Sequence, residues 1–210
     1  MNKTRLILLF LLPLAVVSCK KPAKEGDLSV NMNYKINGNT LITDTLCYFN
    51  EAGNTFMVTE IQWFISHLTL QDEQGEWREV SNRDATNEAT SKIFYVDTNI
   101  PESQTLHTSP IPCGNYQALR FTFGLNEEDN HTGLFGDAPE ANMFWPELLG
   151  GGYHYMKLNG RFVNADNEVA PLNIHLGIGQ NGNQGAFCQN YFTVELPIDV
   201  TIRENTDNHF

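Results

Sequence analysis

Two histidines near a tryptophan are the residues of this chain best suited to chemistry. His154 follows three consecutive glycines and Tyr153, and His175 stands between Ile174 and Leu176. Neutral imidazole nitrogens are ligands that copper, zinc, iron and nickel accept in proteins. Both histidines are therefore candidate metal ligands.

An aromatic cluster precedes the glycine run. Met143, Phe144 and Trp145 are followed by Pro146, and the glycines occupy positions 150–152. Glycine loses much backbone entropy on folding, so a run of three indicates tight turning or the close approach of another segment. The thioether of Met143 would add a soft ligand for copper beside Trp145. The alternative is that the three side chains of the cluster are simply core residues.

Strand alternation sets the two histidines on different faces. His154 shares its phase with Met156 and Leu158, which predicts that it faces the interior or a pocket. His175 is in phase with Gly177, away from the aliphatic side of its own strand. The two imidazoles would meet if one strand lies at a sheet edge or a bulge shifts its register. Spacing alone leaves a shared metal site and two separate positions both open.

The other histidines are predicted to be structural or exposed. His67 lies within a long apolar run and is predicted to be a hydrogen-bonded core residue. His107 and His131 fall in polar segments that we expect to be exposed to solvent. His209 stands near the end of the chain and is expected to fray.

Residues 126–142 form a long polar segment, which we interpret as a functional loop. Its Asn126, Glu128, Asn130 and Asp137 offer hard oxygen ligands suited to calcium, although their spacing matches no calcium-loop motif. The chain has no Gly-x-Ser-x-Gly elbow and no recognisable frame of Ser, His and Asp. It is therefore predicted not to be an enzyme.

Residues 1–18 have the form of a secretory leader, with a basic start and an apolar run too short to span a membrane. Ser18 then precedes Cys19, as at a bacterial lipoprotein cleavage site, so we expect Cys19 to be lipidated. Residues 19–27 would form the lipidated tether and residues 28–210 the folded domain. The protein is expected to be anchored to the bacterial outer membrane, on the periplasmic side or at the cell surface.

The net charge of the chain argues against one class of partner. The formal net charge is −12 at pH 7, and such a chain repels phosphate backbones, so a nucleic-acid partner is not expected.

Three cysteines, Cys47, Cys113 and Cys188, remain after the leader. The oxidising compartment implied by export favours a disulfide, and Cys113 with Cys188 is the pair that we predict.

Short runs of alternating or apolar residues, separated by turn residues, make up most of the domain. Asn37-Gly38 is a typical hairpin turn, and residues 55–70 indicate a bent strand or a strand pair. Residues 153–163 and 169–177 are predicted to be strands joined by a short turn. No helix of normal length is indicated. The predicted fold class is all-β, an antiparallel β-sandwich with long functional loops.

Six blocks of sequence carry a family resemblance: residues 56–66 (FMVTEIQWFIS), 111–116 (IPCGNY), 123–126 (FGLN), 142–145 (NMFW), 152–153 (GY) and 175–177 (HLG). In this order they resemble the MbnP-like family, the methanobactin-associated periplasmic copper proteins. The resemblance extends over most of the chain.

The resemblance implies that histidines bind copper and that a dihaem peroxidase-like partner can oxidise a tryptophan to kynurenine. By position, Trp145 matches that tryptophan and His175 matches a copper ligand. His154 is a second candidate because it adjoins the Gly-Tyr block. The methanotroph proteins related to the family have a histidine two residues after the tryptophan, where this chain has Glu147.

Two functional hypotheses follow. The first is a lipid-anchored protein that binds copper at Trp145, His154 and His175 and has no catalytic activity. The alternative is a glycan- or protein-binding lipoprotein that keeps the fold without a metal. In that case aromatic and amide side chains would contact the ligand: Trp145, Tyr153, Asn181, Asn183 and Gln184.

Overall fold

The computed structural model describes residues 23–181 and 186–210, and within them the chain folds into strands and short 3-10 helices. The predicted leader and Cys19 lie outside the described residues. Among the described helices, none has the length and apolar character needed to cross a membrane. The predicted all-β class is confirmed.

The strands, numbered along the chain, are β1 (Glu25–Asn31), β2 (Lys35–Ile36), β3 (Asn39–Thr40), β4 (Tyr48–Phe49), β5 (Thr55–Asp72), β6 (Trp77–Glu79), β7 (Ile93–Asp97), β8 (Thr105–His107), β9 (Ile111–Pro112), β10 (Gly114–Phe123), β11 (Met156–Val163), β12 (Val169–Leu176), β13 (Gly179–Asn181), β14 (Ala186–Cys188), β15 (Phe192–Ile202) and β16 (Asp207–His209). The 3-10 helices are Glu88–Thr90, Pro101–Gln104, Glu140–Met143 and Glu147–Leu149.

Two sheets pack against each other across the main core, as predicted for a sandwich. The smaller sheet has the order β16–β1–β8, with β9 also paired to β1, and β16 runs parallel to β1. The larger sheet contains β12–β11–β5–β10–β15, with β4, β6 and β7 paired to β5. Core residues from both sheets include Leu28, Val30, Leu106, Ile111, Ile65, Leu68, Leu70, Val96, Leu119 and Ile202.

Strand β5, 18 residues long, is the centre of the larger sheet. β11 pairs with its first half and β10 with its second half, while β7 pairs with its middle from the other edge. Phe64 lies between β11 and β10, where its N–H donates to the Tyr155 carbonyl and its own carbonyl accepts from Gly124. The backbone departs from extended geometry at His67, with a φ of 51°. Residues 55–70 thus form one irregular strand rather than a pair.

A second core lies beside the junction at Phe64. It is largely aromatic and contains Phe64, Ile93, Tyr95, Leu125, Met143, Tyr153, Tyr155 and Ile178. Trp145 and Leu176 pack at its margin. Because Met143, Tyr153 and Tyr155 are inside this core, burial of their side chains fixes the position of the glycine-rich segment between them.

The two predicted hairpins are confirmed. Asn37 and Gly38 both have positive φ, at 51° and 80°, and join β2 to β3. β11 and β12 pair antiparallel along their whole length, so each residue on one strand has a fixed partner on the other.

Both ends of the described domain are more ordered than the sequence predicts. β1 begins at Glu25, inside the tether predicted for residues 19–27. His209 does not fray, because β16 pairs with β1 and the N–H of Phe210 donates to the carbonyl of Ser29 at 3.0 Å. The C-terminal strand therefore closes the smaller sheet.

The predicted disulfide is wrong. Cys47, Cys113 and Cys188 all have free thiols. Cys113 follows β9, beside the N-terminal strand, while Cys188 ends the separate β13–β14 hairpin. The two thiols predicted to pair therefore belong to different parts of the fold.

Candidate metal centre

The segment that contains Trp145 and His154 folds back on itself. The N–H of Trp145 donates to the Gly152 carbonyl at 2.8 Å, and the N–H of His154 donates to the Met143 carbonyl at 2.6 Å. An isolated antiparallel bridge between Phe144 and Tyr153 lies between these bonds. The ladder brings His154 next to Trp145 even though a whole turn separates them in sequence.

The three glycines make this turn, as their sequence predicts. Gly150, Gly151 and Gly152 have φ values of 121°, 71° and 76°, a backbone region that other residues rarely adopt. A Cβ on Gly152 would also collide with the side chain of Asn130. Substitution there would meet both backbone strain and a clash.

The loop formed by residues 126–142 holds the glycine turn in place. The Asn130 Oδ1 accepts from the N–H of Tyr153 at 2.8 Å, and the Thr132 Oγ1 accepts from the N–H of Gly152 at 3.0 Å. The Thr132 hydroxyl in turn donates to the carboxylate of Glu147. The loop therefore supports the segment that presents His154.

The imidazoles of His154 and His175 lie together. Their ring centroids are 5.0 Å apart, and the ring of Trp145 meets that of His154 edge-on at 4.6 Å. His154 is buried, with 8% of its surface exposed, whereas His175 stands exposed on β12 at the edge of the larger sheet. One imidazole is therefore fixed inside the protein and the other is reachable from solvent.

The conflict of strand phase is resolved by a bend. His154 precedes β11, and the chain bends at Tyr155 before the regular strand begins at Met156. The N–H of Tyr155 nevertheless donates to the Leu176 carbonyl at 2.7 Å, which keeps this segment beside β12. Alternation counted from β11 does not apply to His154, and its side chain reaches the side of the sheet that carries His175.

Hydrogen bonds fix one ring nitrogen of each histidine. The Nδ1–H of His154 donates to the Met143 carbonyl at 2.9 Å, which leaves Nε2 with its lone pair. The Nε2–H of His175 donates to Asn159 Oδ1 at 2.9 Å, which leaves Nδ1. Asn159 is oriented by its own Nδ2–H, which donates to Glu60 Oε2 at 2.9 Å. Such outer partners set the tautomer and the direction of a metal-binding imidazole.

Both imidazoles are held neutral. Burial lowers the pKa of His154 to about 4, and the positive charge of Lys157 adds to this effect. Burial, followed by the charge of Lys157, also lowers the pKa of His175. The neutral form is the one that binds metal ions, so both rings are ready to do so near neutral pH.

Trp145 is fixed by a hydrogen bond and by a glycine. Its indole Nε1–H donates to the Leu149 carbonyl at 3.0 Å. The ring lies flat against the backbone at Gly177, where an added Cβ would stand 2.7 Å from its Cδ2 atom. Gly177 is two residues beyond His175, so the close approach brings the indole to the end of β12.

Met143, which was predicted to add a ligand, and Glu147 both take other roles. Met143 is completely buried in the aromatic core, and the contact that it makes with His154 is through its backbone carbonyl. Glu147, which occupies the position of a histidine in the methanotroph proteins, directs its carboxylate to Thr132. In the described chain no group of three or more His, Cys, Asp or Glu side chains is placed to hold a metal ion.

Two of the four loop side chains predicted to bind calcium, Asn126 and Asn130, have other partners. The Asn126 Oδ1 accepts from the N–H groups of Glu128 and Asp129, and the Asn130 oxygen bonds to Tyr153. The oxygen of each amide thus stabilises local backbone.

One aromatic residue of the glycan-binding alternative, Tyr153, is not available to a ligand. Tyr153 is only 2% exposed, and its hydroxyl bonds to the backbone of Phe135. Asn183 and Gln184 lie outside the described residues. The exposed stack of aromatic and amide groups that this alternative requires is therefore not formed around Tyr153.

The remaining histidines lie away from the centre. His67 is hydrogen-bonded, as predicted, but at a partly exposed position between Glu79 and Asp129. His107 ends β8 rather than lying in a loop, and its Nδ1 is 3.2 Å from the Ser29 hydroxyl. His131 is exposed in its loop, as expected.

His154, His175 and Trp145 are recognisable as candidates from the sequence, but the side chains that support them are not. Asn159, Glu60, Thr132 and Lys157 carry no motif of their own. Their roles depend on the register of β11 with β5 and β12 and on the path of the long loop. Only a correct strand alignment between residues 153–163 and 169–177 could have suggested the pair of Asn159 and His175.

Comparisons with known proteins agree with this fold. A family model described as MbnP matches residues 25–210, a range that includes every strand of the described residues. Among solved structures, MbnP from Methylosinus trichosporium is similar with a TM-score of 0.60 and 16% sequence identity, over 82% of this chain and 71% of that chain. At that identity the likeness concerns the fold. No curated protein matches the chain. The resemblance inferred from the sequence blocks is confirmed.

Proposed function

The chain belongs to the MbnP family, and on this premise we propose that it binds a copper ion through His154 and His175 beside Trp145. The protein would act as a binding protein and not as a catalyst. The observation that carries the proposal is the 5.0 Å separation of the two imidazole rings, each with one nitrogen already bonded to the protein.

The donor set suits copper better than a hard cation. Two neutral imidazole nitrogens are the available ligands, and imidazole is a ligand that copper accepts readily. Calcium and magnesium require several oxygen ligands, which the site does not offer. When bound, copper would supply redox chemistry. The residues of this chain would bind the ion, orient the rings and restrict water on the side of Trp145.

A two-histidine site is consistent with the position of Glu147. Its carboxylate bonds to Thr132, so it supports the glycine turn that presents His154. In this chain His154, from the far side of the turn, lies next to the tryptophan. The substitution at position 147 is thus accompanied by a histidine that reaches Trp145 from another direction.

Attachment and partner also belong to the proposal. The leader and Cys19 support a lipid anchor in the outer membrane, on the periplasmic side or at the surface. Near Trp145, Phe144 is 43% exposed and Leu148 is 90% exposed. These apolar side chains support contact with a protein partner, for which the family resemblance implies a dihaem peroxidase-like protein acting on Trp145.

The test is a copper titration of the domain without its leader, for the wild type and two variants. Loss of affinity is expected in both His154→Ala and His175→Ala, because each removes one of the two ligands. His131→Ala, which changes an exposed loop histidine, is the matched control and should bind as the wild type does. Equal, weak binding by all four proteins would contradict the proposal.

A further inference from the structure

A cleft lies between three segments of the chain, apart from the candidate metal centre. Residues 82–90, 100–107 and 134–140 contribute its walls, together with residues of β7. Its volume is about 510 Å³, which is the size of sites that hold small organic ligands. Neither candidate metal ligand, His154 or His175, lines it. Copper binding therefore does not account for this cleft.

One part of the lining is apolar and rigid. Three partly exposed side chains pack over the aromatic core and face the cleft: Ile100, Leu134 and Phe135. The ring of Phe135 stacks on that of the fully buried Phe64, with centroids 5.2 Å apart and planes inclined at 2°. This stacking fixes the wall, and its exposed surface can cover the hydrocarbon part of a ligand.

The acidic and basic side chains that line the cleft, apart from one histidine, are all carboxylates: Asp84, Glu102, Asp137 and Glu140. Asp84 lies 3.8 Å from the Nε of Arg83. Within the residues that the structure describes, the carboxylates of the other three form no hydrogen bond and no ion pair. An ionised carboxylate can only accept hydrogen bonds, so the groups free to bind a ligand require a cation with N–H or O–H donors.

The arrangement of the carboxylates favours an organic cation over a metal ion. They come from three separate segments, and in the described chain no group of three or more His, Cys, Asp or Glu side chains is placed to hold a metal ion. Calcium and magnesium need several oxygen ligands around one point. Carboxylates that do not converge, beside an apolar wall, suit instead a cation whose charges are separated by hydrocarbon.

We propose that this cleft binds a small aliphatic polyamine. Its ammonium groups bond to Glu102 on one segment and to Asp137 and Glu140 on another, while its methylene chain packs on Phe135. This site goes beyond the proposed copper-binding function and does not depend on it.

The experiment begins with the ligand. Calorimetric titration of the protein without its leader uses cadaverine, a linear diamine, at physiological ionic strength, where general attraction to an acidic protein is screened. Cadaverine should bind with a stoichiometry of one. The uncharged diol of the same chain length should not bind, because it cannot pair with the carboxylates. Ammonium chloride at the same concentration of positive charge should not displace cadaverine, because it lacks the methylene chain.

Two double variants then locate the site. Asp137→Asn combined with Glu140→Gln removes two charges from the cleft and should weaken cadaverine binding by about tenfold. Glu73→Gln combined with Glu76→Gln is the matched control, because it removes the same charge from an exposed turn outside the cleft and should bind as the wild type does. If the first double variant fails to fold, Glu102→Gln tests the same cleft from a separate segment and should also weaken binding.

Each failure has a distinct meaning. A wild type that does not bind cadaverine overturns the inference. Equal weakening in both double variants also overturns it, because the attraction would then be to the acidic protein as a whole. A lysine-rich peptide that binds where cadaverine does not would assign the cleft to a protein partner instead. Copper is absent from every titration, so none of these results bears on the copper-binding proposal.

Discussion

The imidazole of His154 meets that of His175 edge-on, with ring centroids 5.0 Å apart and planes inclined at 85°. One ring is buried behind the glycine turn and the other projects from an edge strand. A third ring, Trp145, contacts the buried imidazole from another side. The arrangement combines a rigid candidate ligand with an accessible one.

Asn159 should be the side chain that most affects copper binding without touching the ion. Asn159→Leu removes the acceptor that holds the Nε2–H of His175, so the ring can turn away. Loss of such an outer partner commonly lowers metal affinity about 10–100-fold. Copper competition titration of the variant checks the value.

Asn115→Leu is the matched control for Asn159. Asn115 is an exposed strand asparagine whose hydrogen-bond partners are Glu73 and Thr201, so its loss should leave the copper affinity unchanged. If Asn159→Leu binds copper as tightly as the wild type, His175 does not need this support and the tautomer argument fails.

Gly177 should be required for the position of Trp145. In Gly177→Ala the new methyl group would stand 2.7 Å from the indole, and an overpacked site of this kind costs about 1–3 kcal/mol. We expect a lower midpoint of urea unfolding and a shifted tryptophan fluorescence spectrum. Gly136→Ala is the control, because a Cβ at Gly136 has no heavy atom within 4 Å. Equal effects of the two substitutions would refute the packing argument.

The chemistry-bearing residues were predictable because their types are informative, but their geometry was not. His154, His175 and Trp145 stand out by type and by the glycines beside them. The strand phase of His154 correctly predicted a buried side chain. It did not predict the contact with His175, because the bend at Tyr155 interrupts the alternation. A local conformation of one residue thus decided whether the two imidazoles meet.

The all-β fold class was predictable from local sequence signals. The side chains that support the glycine turn were not. Alternation and the Asn37-Gly38 turn are local signals, and they indicate an all-β fold correctly. The bonds from Asn130 and Thr132 to the glycine turn join segments about twenty residues apart. The error over Cys113 and Cys188 has the same origin, since the separation of two thiols depends on topology and not on composition.

Copper binding should persist into mildly acidic solution. Protons compete with the metal for the imidazole nitrogens, but the pKa of His154 is about 4 and that of His175 is also lowered from 6.5. The affinity should stay constant from mildly alkaline pH down to 6.5 and decline only below it. Competition titrations across this range give the profile. A decline centred at or above 6.5 would show that the ligands titrate as ordinary exposed histidines.

His67 should make the fold less stable as the pH rises, whereas copper affinity should decline as the pH falls. Burial alone would lower the pKa of His67, but hydrogen bonds with Glu79 and Asp129 outweigh it, and the pKa is raised from 6.5. The protonated ring therefore stabilises the fold below 6.5, and this contribution is lost as the pH rises through the raised pKa.

Asp129→Asn should reduce that pH dependence, because it removes one of the two carboxylates that bond to His67. The expected change in unfolding free energy is about 1 kcal/mol or less, as for other partly exposed pairs, measured by urea denaturation at several pH values. Glu195→Gln, which breaks the surface pair with Arg120, should leave the profile unchanged. Identical profiles for Asp129→Asn and the wild type would disprove the role of His67.

The most direct test of the two-histidine site is long-range proton–nitrogen NMR of the histidine rings, before and after one equivalent of Cu(I). The account predicts that copper shifts the Nε2 resonance of His154 and the Nδ1 resonance of His175 most strongly, because these nitrogens carry the free lone pairs. The rings of His107 and His131 should not respond. Shifts confined to those other histidines, or no shift at either His154 or His175, would contradict the central claim.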